Sequence, residues 1–296
     1  MKFSITFLMA LLIAVTSFAQ EVNKKYIKIT PEIQEKIKKA LPKDFIKPAK
    51  ARKVVVYSKS NGFVHNSTSV GIETLKQMAA ATGAFEVTFN DDASTYTAEY
   101  LKQFDAIIVN NATQIQKAFK GANREAFMNF IKEGKSFIGI HSASDGGYKD
   151  WEEYSEMIGG FFQGHPWTAV GKWAMEVNDE SHPINKPFKE KLFIYRDEIY
   201  RHSGPYKKEK MHTLIKIDPK NDPLGVKEGE APSKKKVAHD REYPISWIKK
   251  HGNGKVFYTC FGHNAETYYD PVILDHMLKG FQFALGDLTG ELVLGK

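Results

Sequence analysis

The chain has 296 residues, of which 42% are hydrophobic and 26% charged, and this is the composition of an ordinary globular protein with one large domain or two small ones. Its single cysteine, Cys260, excludes an internal disulfide, so the apolar core alone must hold the fold. The formal charge of +7 is spread thinly, with lysines crowded at 24–53 and 234–236 but none of the interleaved aromatics or glycine-rich loops of a nucleic-acid surface, so no nucleic-acid partner is expected.

Met1 and Lys2 lead into an apolar stretch at 3–15, and Ser17 and Ala19 supply the small residues that a signal peptidase needs. Residues 1–19 are therefore expected to be a signal peptide cut between Ala19 and Gln20, and the protein to be exported, to the periplasm. The apolar stretch is shorter than the about 20 residues that span a bilayer, so no membrane association is expected after cleavage. No cysteine lies near the cut to carry a lipid. Residues 20–50 form a polar, lysine-rich lead-in, with helix-forming composition at 31–40 and Pro31 in the first turn, expected to pack on the surface of a domain spanning 51–290.

Within that domain, 52–57 (RKVVVY) is a β-branched run broken by SKSNG. A helix capped at Ser67 or Thr68 follows to about Ala81 and ends at Gly83. Residues 85–89 read as a second strand, 97–101 as a short helix, 105–109 (DAIIV) as a third strand, 123–132 as a helix stopped by Gly134, and 136–140 as a fourth strand. Alternation of this kind predicts a parallel sheet with right-handed crossovers. Beyond it lie a helix at 151–158 and an aromatic loop at 159–167, then strands at 172–177, 192–194, 213–217, 244–249 and 255–261, and a last helix at 271–285 opened by Pro271. Residues 218–240 are polar, with prolines and a lysine run, and read as an exposed insertion because strands resume after it.

Loops that follow the strands of a parallel sheet open on one edge, where ligands bind. His65, His141 and His263 follow predicted strands, and His165 lies in the aromatic loop. Asp145, Asp197, Glu198, Tyr200, Trp247 and Asn264 hold similar positions, and their convergence points to a functional pocket. The strand, turn and helix around Gly139-Ile140-His141-Ser142-Ala143 have the form of a nucleophile elbow with histidine at the tip, which suits proton transfer or metal ligation and not covalent attack. Asp145 could orient His141, bind a hydroxyl, or cap the helix near Trp151. Aromatic residues around these groups could stack on a sugar ring, although at least half are expected in the core. No H-E-x-x-H signature is present, so no cofactor is required by the sequence, and a divalent metal would have to be held by residues from distant loops. Cys260 lies in an apolar strand and reads as inert packing.

The segments GFVHNS (62–67), GIHSASD (139–145), GGFFQGHP (159–166), DEIYR (197–201), YPISW (243–247) and GKVFYTCFGH (254–263) together resemble the ThuA-like, or trehalose-utilisation, family over about 53–285. The resemblance implies a flavodoxin-like α/β fold of the class I glutamine amidotransferase type, a mostly parallel sheet with helices on both faces. Those enzymes carry Cys at the elbow where this chain has His141, so amidotransferase chemistry is not implied. Processing of a glycoside or its keto derivative is implied, with His65, His141, Asp145, His165, Glu198 and His263 at family motif positions. The expectation is a sugar-active enzyme working by elimination, isomerisation or hydrolysis on a small-molecule sugar. His141, His65, Asp145 and Glu198 would be catalytic, and His165, His263, Tyr200, Trp247 and Asn264 would bind substrate. A non-catalytic carbohydrate-binding protein and a metal-dependent glycoside hydrolase are the alternatives, and the oligomeric state is open.

Overall fold

Short apolar runs, several of them buried along their whole length, form a nine-stranded sheet in the computed structural model, which describes residues 26–203, 208–217 and 242–296. The expected signal peptide and the 218–240 insertion lie outside the described residues. In chain order the elements are α1 (Pro31–Ala40), β1 (Lys53–Tyr57), α2 (Thr68–Thr82), β2 (Glu86–Phe89), α3 (Ala98–Leu101), β3 (Ala106–Asn110), α4 (Gly121–Lys132) and β4 (Ser136–Ile140). There follow α5 (Glu152–Ile158), β5 (Phe161–Phe162), β6 (Trp173–Val177), β7 (Leu192–Tyr195), β8 (His202–Ser203) and β9 (His212–Ile217). The chain closes with β10 (Tyr243–His251), β11 (Gly254–Thr259) and α6 (Pro271–Leu285).

The sheet runs β2-β1-β3-β4-β11-β10-β9-β6-β7. Its first five strands are parallel and follow the 2-1-3-4-5 order of flavodoxin-like folds, with the strand order reversing between β1 and β3. Every residue of β3 and β4 is buried, as strands covered by helices on both faces require. From β11 outward the pairing turns antiparallel through β10, β9, β6 and β7. The same large sheet therefore carries a flavodoxin-like half and an antiparallel extension. Among the described residues, no helix is long and apolar enough to cross a membrane.

The lead-in is tied into this core. Ile37 and Ala40 of α1 are buried, Ile46 N–H donates to Gln282 of α6 at 3.2 Å, and Lys279 Nζ donates to the carbonyl of Asp44 at 2.9 Å. Its first described residues also reach the ligand edge of the sheet, where Ile27 N–H bonds the carbonyl of Asn66 at 3.0 Å. Helix α6 lies close against β11 because Gly280 has no side chain; a Cβ there would stand 2.3 Å from the ring of Phe257.

Two histidines outside the ligand edge are locked neutral by this packing. His276 is fully buried, with Nε2 2.9 Å from Ser246 Oγ and Nδ1 3.2 Å from the carbonyl of Ile184; burial pushes its pKa down to about 3, against the pull of that carbonyl. Burial, with the charge of His212, takes His182 down to about 4. In the unfolded chain both would titrate near the ordinary value of about 6.5. As pH falls below that value the unfolded state gains protons that the folded state cannot, so stability falls with pH from about 6.5 toward 4, by about 2 kcal/mol per histidine at pH 5. Urea unfolding at pH 7.5 and pH 5 should register this loss, and His276→Gln should make the dependence shallower; an unaltered pH slope in that variant would contradict the assignment.

Candidate active site

The exits of β1, β4 and β11 stand at one edge of the parallel half, and each delivers a histidine. After β1, Ser60 Oγ donates to the carbonyl of Asn111 at 3.1 Å, and Asn61 N–H to that of Thr113 at 2.9 Å. The loop is thereby pinned to the exit of β3 and sets His65 just ahead of α2, where Thr68 N–H donates to the His65 carbonyl at 3.2 Å. After β4 the chain turns at His141, whose φ of 47° lies in the left-handed region that a side chain disfavours. Tyr258 Oη holds this turn by donating to the His141 carbonyl at 2.8 Å. The sharp elbow expected from the sequence is thus present, with histidine at its tip.

After β11, Gly262 and Asn264 flank His263, and both are gripped by one carboxylate. Asp197 Oδ1 accepts from the backbone N–H groups of Glu198 and Asn264, each at 2.9 Å, while Oδ2 accepts from Gly262 N–H and Thr267 Oγ1, each at 2.8 Å. Gly262 adopts a φ of 129°, and a Cβ there would meet Tyr268 Oη at 2.8 Å, so the turn needs glycine. Its carbonyl accepts from Ser67 Oγ and Asn111 Nδ2, both at 2.9 Å, which ties the β11 exit to those of β1 and β3.

Glu198 arrives from the antiparallel half, in the segment between β7 and β8. That segment is stitched to the aromatic loop as a narrow ribbon: β5 pairs with β8, Gln163 N–H donates to the Arg201 carbonyl at 2.8 Å, Arg201 N–H to that of Gly164 at 2.9 Å, and Ile199 N–H to that of Trp167 at 2.8 Å. The pairing places His165 over Glu198.

The result is a carboxylate among imidazoles. Glu198 Oε1 lies 3.1 Å from His263 Nδ1 and 3.8 Å from His141 Nε2, and Oε2 lies 3.2 Å from His165 Nδ1. His65, His141, Glu198 and His263 each offer one ligand atom, and these four atoms lie within 4.8 Å of one another, so the group could hold a metal ion. The rings of His65 and His141 stand edge to face at 4.8 Å. Each of the three rings in this group has one buried nitrogen without a hydrogen-bond partner: His65 Nδ1, His141 Nε2 and His263 Nδ1, the last within ion-pair distance of Glu198 but not aligned for a hydrogen bond.

The protonation pattern follows from burial. His141 Nδ1 is 2.7 Å from the carbonyl of Cys260, which can only accept, so Nδ1 carries the proton and Nε2 a lone pair. Burial, helped by the charges of His65 and His263, holds the His141 pKa well below the ordinary value, and burial with the charges of His263 and His165 takes His65 down to about 3. Burial works against the charged form of His263 too, yet the Glu198 carboxylate outweighs it, aided by Asp197, and raises that pKa. Burial lifts Asp197 to about 6 in spite of its donors. Two neutral imidazoles thus face one that charges readily beside a carboxylate, an arrangement able to move a proton or to hold a cation.

Of the residues expected at the site, the structure brings together His65, His141, Glu198, His263 and His165. Tyr200 stands behind them, its hydroxyl 3.3 Å from His65 Nε2 and its ring 4.4 Å from that of His141. Asp145 does not orient His141; its carboxylate accepts the hydroxyl of Tyr148, and the Cys260 carbonyl orients the histidine. Burial raises the Asp145 pKa against that bond. Asn264 uses its side chain as a brace, Nδ2 donating to the carbonyls of Ala169 at 2.8 Å and Arg196 at 3.3 Å. Trp247 sits within β10, has no exposed surface, and donates its indole N–H to the carbonyl of Ile158 at 2.8 Å, so it is a core residue and not a substrate contact. Cys260 is fully buried, burial raises its thiol pKa, and its Sγ accepts the N–H of Tyr200 at 3.1 Å, in keeping with inert packing.

Asp197 is the residue whose part the sequence left unassigned. It neighbours Glu198 in DEIYR, and nothing in that run tells the buried clamp from the carboxylate that faces the histidines. Asp197→Asn would set an amide N–H₂ against the donors it now accepts, costing about 1–3 kcal/mol. It would also remove a charge that raises His263, so NMR titration should report a lower His263 pKa; wild-type stability and titration would refute the clamp.

A family model described as trehalose utilisation (ThuA) matches residues 53–284. A ThuA-like protein of known structure from Bacteroides uniformis is 25% identical, with a TM-score of 0.61 over 79% of this chain and 93% of that one. Another from Parabacteroides merdae is 18% identical, with a TM-score of 0.57 over 82% of this chain and 93% of its own, a likeness of fold alone. No curated protein matches the sequence. The match over most of its length makes this chain a member of the ThuA, or trehalose-utilisation, family.

Proposed function

We propose that the protein is a sugar-active enzyme acting on a glycoside or 3-keto-glycoside by acid-base chemistry centred on Glu198. Membership of the family suggests a sugar-related role, and the observation that carries the reaction class is a single carboxylate with imidazole nitrogens of His263, His165 and His141 at 3.1, 3.2 and 3.8 Å. His65 and His141 are buried and held neutral, so the proton-transfer role expected of them passes to Glu198, His263 and His165. The side chain of His165 is 50% exposed and is open to solvent and substrate.

In a 3-keto-glycoside the C2–H bond is acidified by the neighbouring carbonyl. Glu198, or an imidazole in contact with it, takes that proton; the C1–C2 double bond forms as the C1–O bond breaks, and the departing alcohol oxygen receives a proton from the relay. His65 and His141 position the relay. Flat surfaces for the sugar lie close by: Phe63 is 65% exposed with its ring 4.9 Å from that of His65, and the Phe162 ring stacks beside His165 at 5.9 Å. The N-terminal apolar stretch supports a periplasmic setting for this step.

A panel of intact disaccharides and 3-keto-glycosides should yield product with the wild-type protein, and Glu198→Gln should lower kcat by about 10²–10⁴-fold with a smaller change in KM. Calorimetric binding of a sugar with no product after long incubation would instead make the protein a carbohydrate-binding module on the same fold.

A further inference from the structure

We propose that His65 Nδ1, His141 Nε2, His263 Nδ1 and Glu198 Oε1 form a binding site for one divalent first-row transition metal of the Zn²⁺ type. The inference rests on the cluster of the sugar reading and narrows its proton path, since a bound ion would occupy His263 Nδ1 and Glu198 Oε1 and leave Glu198 Oε2 with His165 to serve the relay; its ground is the geometry of the four side chains. Their ligand atoms come from four separate segments of the chain yet lie within 4.8 Å of one another. Donors at 2.0–2.2 Å from a common tetrahedral ion are separated by about 3.3–3.6 Å, so small side-chain rotations close the cluster onto an ion.

Hydrogen bonding decides which ring nitrogens are left free to ligate. His141 gives its Nδ1 proton to the Cys260 carbonyl, which leaves the Nε2 lone pair directed toward Glu198. His65 engages Tyr200 Oη through Nε2, leaving Nδ1 buried and without a partner. Glu198 turns Oε2 to His165 and Oε1 to His263. Three of the four side chains are thus backed by an outer contact of the kind that sets the tautomer and aim of a metal ligand: a backbone carbonyl behind His141, a phenol behind His65, an imidazole behind the carboxylate.

A proton cannot satisfy this arrangement as a cation can. One proton shared between His263 and Glu198 leaves His65 Nδ1 and His141 Nε2 buried and unmatched, at a cost of about 1–3 kcal/mol each. A single cation engages all four atoms. Three imidazole nitrogens with one carboxylate oxygen favour Zn²⁺, Fe²⁺, Co²⁺ or Ni²⁺ over Mg²⁺ and Ca²⁺, which seek oxygen.

The test uses chelator-stripped wild-type protein titrated with Zn²⁺, followed by desalting and elemental analysis, with Co²⁺ added in parallel. The expected result is one Zn²⁺ retained per chain, a rise in Tm, and the visible d–d bands of a histidine-ligated Co²⁺ ion. Glu198→Gln and His263→Ala should each weaken Zn²⁺ retention at least about tenfold while keeping the wild-type far-UV circular dichroism. Wild-type protein that retains no metal and keeps its Tm overturns the site whatever the variants do, as do folded variants that bind Zn²⁺ like wild type. The two readings fail separately: stoichiometric metal without turnover of any sugar leaves the site standing and removes the enzyme reading, whereas turnover by metal-free protein that binds no Zn²⁺ does the reverse.

Discussion

The site depends on one buried carboxylate that never faces it. Asp197 accepts four hydrogen bonds, two of them from the backbone on either side of His263 and one from the backbone of Glu198. Those bonds join the β7–β8 connection to the β11 exit, so the stretches of main chain that carry Glu198 and His263 are held against each other. Taking an ionisable group out of water is costly, and the rise of the Asp197 pKa to about 6 records that cost. Matched donors offset it, and the benefit is positional.

The two halves of the sheet have separate duties at this point. The parallel half, through the exits of β1, β4 and β11, contributes His65, His141 and His263; the antiparallel extension, through the segment between β7 and β8, contributes both carboxylates. A flavodoxin-like core ending at β11 would present three imidazoles with no anion among them. Strands β10, β9, β6 and β7 carry the chain outward, and the ribbon of β5 and β8 brings the aromatic loop back so that His165 meets the outer oxygen of Glu198.

Much of the parallel half could be read from residue order, because its signals are local. The run at 136–140 is the observed β4, and the helices at 31–40 and 271–285 match because proline stands in the first turn of each. The direction of a strand is marked only by its connection, and the two residues Gly252 and Asn253 between the paired His251 and Gly254 make the turn of an antiparallel hairpin. The run at 244–249 itself says nothing of direction or of which side faces the core. Trp247 was misplaced for the same reason: β10 is buried continuously from Tyr243 to Lys249, so its aromatic residue carries no alternation that would tell a lining position from the core. Asp145 misled through proximity in sequence. The single-turn helix His141–Ser144 separates it from His141 and carries its carboxylate to Tyr148.

The histidines themselves were legible, but their division of labour was not, because it is a property of burial. His65 and His141 lie where the imidazolium cannot be solvated, so each serves as a neutral ring with one nitrogen committed to a neighbour and the other left without a partner. Burial works on His263 in the same direction, but it sits beside the Glu198 carboxylate, which reverses the direction of its shift. Identical side chains within about 5 Å of one another thus have opposite acid-base character, and the difference is set by which of them touches Glu198 most closely. A substrate or cation entering from the His165 side would meet the chargeable pair first and the neutral rings behind it. That order follows from the elbow at the end of β4, whose left-handed turn buries His141 completely at the floor of the site.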